Sequence, residues 1–296
     1  MTHGQILGGT VTTPDLDQAL ADYEGRLGLT LVERGTLAAD LALSWGTPAS
    51  AGSAYALLQP TSGAPCHIRL VEQPVPEAFR PTTSYGWAAY EITVQDVEGW
   101  PARLKGSGFT LAGAPKAIAG MPEFIPMQVI GRGREMLYLN QVFADMAATD
   151  LPRAQSPVDH IFILILATPD RDASLAFYEQ AIGLETASTF TIRYSMINKA
   201  FGFEETHLTD LSMVQKGRLP ILEVDQYPPQ ATPRPGDPAR LPAGNALVTL
   251  AVTSLDAVQA PFLQPPARRE GPFYAGRRAA TLRGPAGELL ELIEIR

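Results

Sequence analysis

The sequence predicts an α+β protein of four βαβββ modules, arranged as two tandem domains. Three observations predict it. Residues Gln5–Leu29 align without a gap on His160–Leu184, at an offset of 155. A fainter repeat recurs inside each half. Gly and Pro, 26 of each, cut the chain into short pieces, which suits many strands joined by turns rather than a helical bundle.

The first and third modules open in the same way. Ile6 matches Ile161, Thr13-Pro14-Asp15 matches Thr168-Pro169-Asp170, Tyr23-Glu24 matches Tyr178-Glu179, and Gly28-Leu29 matches Gly183-Leu184. Each copy reads as an apolar strand, a turn, a helix and a glycine stop. Asp15 and Asp170 stand where a carboxylate caps a helix N-terminus. Leu16, Leu20 and Tyr23 fall at helical spacing and give one apolar face. Gly28 and Gly183 stand where the chain leaves the helix, commonly with positive φ.

The second and fourth modules repeat the pattern more loosely. Tyr90–Val94 alternates like a strand, Asp96 begins a helix carrying Val97, Trp100 and Leu104, and Leu247–Val252 with Ser254 and Asp256 does the same near the far end. The closing hairpins, Gly133–Leu139 and Gly287–Leu292, also correspond. The modules span 5–74, 86–142, 160–227 and 245–296. The expected domains are 1–144 and 160–296, joined by a linker at 145–159, with crossing loops at 73–85 and 226–244.

Composition narrows the function. Charged residues make up 18% of the chain and the net charge is −8. This disfavours nucleic acid, whose phosphates call for Lys and Arg. No signal peptide and no apolar run near 18 residues is evident, so a cytoplasmic protein without a membrane partner is expected. The single cysteine, Cys66, allows no intrachain disulfide and no multi-cysteine metal centre. No phosphate-binding glycine loop, nucleophile elbow or His-Glu-x-x-His motif occurs.

The segment Thr168-Pro-Asp-Arg-Asp-Ala-Ser-Leu-Ala-Phe-Tyr178 with Ile182-Gly-Leu184, and the closing Gly284-Pro-Ala-Gly287-Glu-Leu-Leu-Glu291-Leu, resemble the glyoxalase/bleomycin-resistance/extradiol-dioxygenase (vicinal oxygen chelate) superfamily. The resemblance covers nearly the whole chain. It implies paired modules wrapping a curved sheet around a cavity, with metal ligands on the first and last strand of each module. It does not fix an activity, since one fold hosts many chemistries.

Carried over one at a time, Glu291 falls on the last-strand position of module four and Glu223 on that of module three. His160 lies on the first strand of module three, three residues out of register, where Ile163 holds the usual place. Three residues flip the face of a strand unless a bulge intervenes. Near Leu247 no His stands. The expected metal set is therefore His160, Glu223 and Glu291, holding a divalent iron, manganese, nickel, zinc or cobalt, or none. In the first half the positions read Gln5 or Gly8, Arg69, Ala89 and Tyr138. His67 and Arg69 share a strand face, so a metal-free pocket of His67, Arg69 and Tyr138 with Glu91 is the alternative. Arg69 would bind an anion or carbonyl, and His67 would act as acid or base.

The insert Thr191–Gly202 reads as a helical lid bearing Arg193, Tyr194, Asn198 and Lys199. The leading expectation is a lyase, isomerase or oxygenase acting on a small hydrophobic or aromatic oxygen compound. The first alternative is a metal-free binding or sequestering protein. The second is an extradiol dioxygenase, which needs two His ligands and would have to draw on His207. The partner is a small molecule. A homo-oligomer is compatible with the sequence, and so is a chain whose four modules already form a pseudo-dimer.

Overall fold

The computed structural model describes residues 1–118, 121–145 and 149–295. All four modules are present. Module one holds β1 (Ile6–Thr13), α1 (Leu16–Gly25), β2 (Thr30–Thr36), α2 (Ala39–Ser44), β3 (Ala54–Gln59) and β4 (His67–Glu72). Module two holds β5 (Gly86–Val94), the four-residue α3 (Trp100–Arg103), β6 (Thr110–Gly113), β7 (Phe124–Ile130) and β8 (Met136–Val142). Module three holds β9 (Val158–Thr168), α4 (Arg171–Ile182), β10 (Glu185–Ile192), α5 (Ser195–Phe201), β11 (Thr209–Lys216) and β12 (Leu219–Gln226). Module four holds β13 (Asn245–Val252), β14 (Ala267–Arg268), β15 (Arg278–Arg283) and β16 (Leu289–Glu294).

The caps behave as their residues dictate. The Asp15 side chain accepts from Gln18 N and that of Asp170 from Ala173 N. Gly28 and Gly183 take φ of 73° and 74°, which only glycine adopts without strain. The helices expected in modules two and four shrink to short turns. Pro101 stands at the second position of α3, and module four keeps only a 3-10 turn at Leu255–Ala257, capped by Ser254. Prolines 261, 265 and 266 follow it and prevent a longer helix.

The strands form two eight-stranded sheets, in the orders β14-β15-β16-β13-β1-β4-β3-β2 and β10-β11-β12-β9-β5-β8-β7-β6. The first sheet joins module one to module four through the antiparallel β1–β13 seam. The second joins module two to module three through β5–β9. The expected spans 1–144 and 160–296 each contribute strands to both sheets, and residues 146–148 of the expected linker lie outside the described residues. Consecutive modules touch through their helices instead. Tyr23 on α1 donates to Glu135 in the β7–β8 hairpin at 2.9 Å, and Tyr178 on α4 donates to Glu288 in the β15–β16 hairpin at 3.0 Å. With the helices spent on the neighbouring module, the central strand edges are left to the opposite half.

The sheets pack back to back over the main core, which includes Val11, Leu70, Trp87, Tyr90, Leu164 and Leu250. Tyr90 Oη lies 2.9 Å from Thr10 O and 3.0 Å from Leu247 O, on the two strands of the opposite seam. Trp87 Nε1 donates to Leu289 O at 2.8 Å. Gly9 makes this approach possible, since a Cβ there would stand 2.4 Å from the Tyr90 ring. The concave faces therefore point away from each other. No helix among the described residues is long and apolar enough to cross a membrane.

Candidate functional site

Each concave face is lined by the first and last strands of its two modules. On the first sheet the register pairs Thr10 with Arg69 and Thr249 with Glu291. Thr10, Arg69, Thr249 and Glu291 are all buried. The connection between the second and third strands of each module folds over this face. From module one comes Trp45, just past α2; from module four come Phe273 and Tyr274.

Arg69 and Glu291 face each other through Tyr274. Arg69 Nη2 donates to Tyr274 Oη at 3.1 Å, and Tyr274 Oη donates to Glu291 Oε1 at 2.9 Å. Trp45 Nε1 also donates to Glu291 Oε1 at 2.8 Å, and Thr249 Oγ1 to Oε2 at 2.8 Å. The Arg69 guanidinium carbon stands 5.0 Å from the Trp45 ring, 4.7 Å from Phe273 and 5.6 Å from Tyr274. Burial pushes the Tyr274 phenol well up, so it stays protonated. A cavity of about 360 Å3 opens beside them, lined by Arg69, Tyr274, Phe273, Tyr55, Leu57 and Arg269.

The second sheet repeats the relay with other groups. Tyr194, at the start of α5, donates to Glu223 Oε1 at 3.0 Å and meets Tyr138 Oη at 3.3 Å. Glu91 accepts from Asn140 Nδ2 at 2.6 Å. The apolar wall is Ala88, Ala89, Met136, Ile165, Ala167 and Ile197. Burial raises the carboxyls of Glu91, Glu223 and Asp225, and the Glu223 charge raises Glu91 and Asp225 further. The inserted segment does lie over this face, with Tyr194 and Ile197 turned inward.

No protein-family model and no curated protein matches the sequence. Solved structures do match its shape. Glyoxalase I from Zea mays superposes over 98% of this chain and 92% of that one, with a TM-score of 0.63 at 16% identity. A candidate dioxygenase from Bacillus subtilis covers 99% of this chain and 86% of its own, with a TM-score of 0.59 at 12% identity. The chain has the vicinal-oxygen-chelate fold.

On that fold the expected site residues are redistributed. Glu291 lies on the first sheet, whereas His160 and Glu223 lie on the second, so the set His160, Glu223 and Glu291 is not brought together. His160 turns aside, its Nδ1 3.1 Å from Asp159 Oδ1. The β5–β9 pairing shifts register between Glu91 and Ile92 and again between Ile92 and Val94, opposite this stretch of β9, and His160 still does not join Glu223. Likewise His67 and Arg69 sit on the first sheet and Tyr138 on the second. His67 does not line the cavity; it meets the Phe273 ring edge-on at 5.3 Å, and burial pushes it down to about 4. His207 is exposed and rests on Phe203 at 4.2 Å, away from either face.

The donor set of the first sheet does not fit a divalent metal. Where the fold's ligands would stand, a guanidinium occupies Arg69, hydroxyls occupy Thr10 and Thr249, and Glu291 already takes three donors. Among the described residues no group of three His, Cys, Asp or Glu side chains is placed to hold a metal ion. The groupings the chain does make are Arg69–Tyr274–Glu291 and Tyr138–Tyr194–Glu223. The sequence reading missed Tyr274 and Trp45. The signal available was position: both lie between the second and third strands of a module, as Tyr194 does.

Proposed function

We propose that the chain binds a small aromatic oxyanion, such as an aryl carboxylate or enolate, on the first concave face without a metal. One observation carries this reading. Arg69 is a buried cation at the cavity wall, held by hydroxyls and aromatic rings, with no carboxylate in ion-pair contact among the described residues. Such a guanidinium suits bidentate recognition of a planar anion. The rings of Phe273, Tyr274 and Tyr55 supply walls for an aromatic body.

Isothermal titration of metal-stripped protein with benzoate, against benzyl alcohol as the neutral control, tests it. A hydrogen bond to a charged group contributes about 1.5–3 kcal/mol. Arg69→Met should therefore weaken benzoate binding by about tenfold to a hundredfold. Equal binding by Arg69→Met, or binding only after a metal is added, refutes the proposal.

A second reading extends the first to lyase- or isomerase-type proton transfer, favoured by the Tyr274–Glu291 hydrogen bond beside Arg69. With an oxyanion held on Arg69, Glu291 would take a proton from the adjacent carbon, and Tyr274, its single O–H released as Glu291 is protonated, would turn that donor to the oxygen. Deuterium uptake from D2O at the α-carbon of mandelate, lost in Glu291→Gln, would support it. Absence of exchange in the unaltered protein would leave a binding protein alone.

A further inference from the structure

The second concave face gathers three carboxyls with no cation among the described residues to pair them. Glu91 and Asp225 are buried there and Glu223 is half-buried. None of the three makes an ion pair with a described Lys, Arg or His. Asn140 is fully buried and uses its amide nitrogen on Glu91, and its carbonyl oxygen Oδ1 is left without a donor. Glu223 and Asp225, two apart on β12, project from the same face, and neither Asp225 oxygen receives a donor from elsewhere. On this face, among the described residues, the only phenol that reaches a carboxyl is Tyr194, on Glu223. Arg234, across Tyr227, has its guanidinium engaged by the carbonyls of Trp87, Ala243 and Asn245.

Buried acceptors without donors are costly, and the missing complement can be specified. It must bring several N–H donors and a positive charge, and its remainder must suit a wall of Ala89, Met136, Ile165 and Ile197. We propose that this face is a second binding site, for a small primary ammonium with an apolar or aromatic tail, which enters as Tyr194 and α5 swing away from Glu223. The three N–H groups would reach Glu91, Asp225 and Asn140 Oδ1. An alcohol of the same shape brings one donor and no charge. The site is opposite in sign to the Arg69 cavity and does not rest on that reading.

The ammonium should displace protons. The ionisable groups facing this site are Glu91 from β5, Tyr138 from β8, Glu223 and Asp225 from β12, Tyr194 at the start of α5, and Tyr227 just past β12. Burial holds the carboxyls in their protonated form to higher pH than usual. Pairing them with a cation releases those protons, so affinity rises with pH until the amine itself loses its charge.

The full chain is titrated with benzylamine, with benzyl alcohol, and with magnesium and manganese chloride alone, in two buffers of different ionisation enthalpy. Benzylamine is expected to bind saturably, to release protons, and to bind equally well in saturating benzoate. Benzyl alcohol is expected to bind at least tenfold more weakly. Asp225→Asn and Glu91→Gln should each weaken benzylamine at least tenfold. Because either change can also disturb folding, Tyr194→Phe supplies a second test: it keeps the ring, removes the bond to Glu223, and should tighten benzylamine severalfold. No saturable binding of benzylamine, equal binding of benzyl alcohol, displacement of benzylamine by the metal ions, or unchanged affinity in Tyr194→Phe would each overturn the proposal.

Discussion

Splitting the chain between its halves should unfold both. Fragments 1–150 and 151–296 would each carry one half of each seam. The β1 seam runs Ile6–Val11 against Leu250–Asn245, and the β5 seam runs Gly86–Val94 against Ala167–Val158. At about 1 kcal/mol net per inter-strand hydrogen bond, two such seams sum to on the order of 10 kcal/mol. Trp87, Tyr90, Leu164, Leu166, Leu247 and Leu250 are at most 1% exposed and would lose much of their cover, at about 1.5–3 kcal/mol each. The total exceeds the 5–15 kcal/mol that typically separates folded from unfolded chains. Each fragment alone should therefore show disordered circular dichroism or aggregate, while co-expressed fragments should copurify as a one-to-one complex with native amide protection. A fragment 151–296 that is monomeric by light scattering and melts cooperatively would refute the crosswise pairing.

Other outcomes follow from single groups. Burial raises Glu135 and Glu288 from 4.5 to about 7. The unfolded chain ionises first, so stability should fall as pH rises from about 4.5 to about 7, by roughly 3 kcal/mol per group. His67, depressed to about 4, works the other way only below about 6.5. Urea unfolding at pH 5, 6, 7 and 8 should thus show a net decline, and a rising profile would contradict it. A Cβ on Gly133 would stand 1.6 Å from the Thr12 carbonyl oxygen, a backbone atom, whereas one on Gly25 meets nothing within 4 Å. Gly133→Ala should cost roughly 2–3 kcal/mol and Gly25→Ala should be neutral or slightly stabilising, as the urea midpoints will tell. Cys66 is 1% exposed and burial pushes its thiol up to about 12. A chromogenic disulfide reagent should label it only after unfolding, and labelling of the native protein would place Cys66 elsewhere.

Much of the fold was legible in the sequence because it is written locally. The caps Asp15 and Asp170, the stops Gly28 and Gly183 and the four module spans each depend on a few neighbouring residues. Module pairing is not local. The central strands of all four modules are almost wholly buried, so nothing in Ile6–Thr13 says whether its edge meets β5 or β13. That gap carried through to the site. The sequence put Arg69 and Tyr138, and likewise Glu223 and Glu291, at equivalent last-strand positions and grouped them by half of the chain, whereas each pair is split between the two sheets. The phenols of Tyr194 and Tyr274 lie on inserts whose inward reach is set by tertiary packing, beyond any periodicity.

The β1–β13 seam also sets a timetable. Ile6 lies beside Leu250, so β1 leaves the ribosome long before β13, the strand that covers its outer edge. Modules two and three, adjacent in sequence, can zip their shared sheet earlier. Contacts of such long range close slowly, and a strand held open until β13 has been made is exposed to wrong partners. Assembly should therefore begin at the β5–β9 seam, with the β1–β13 seam closed last.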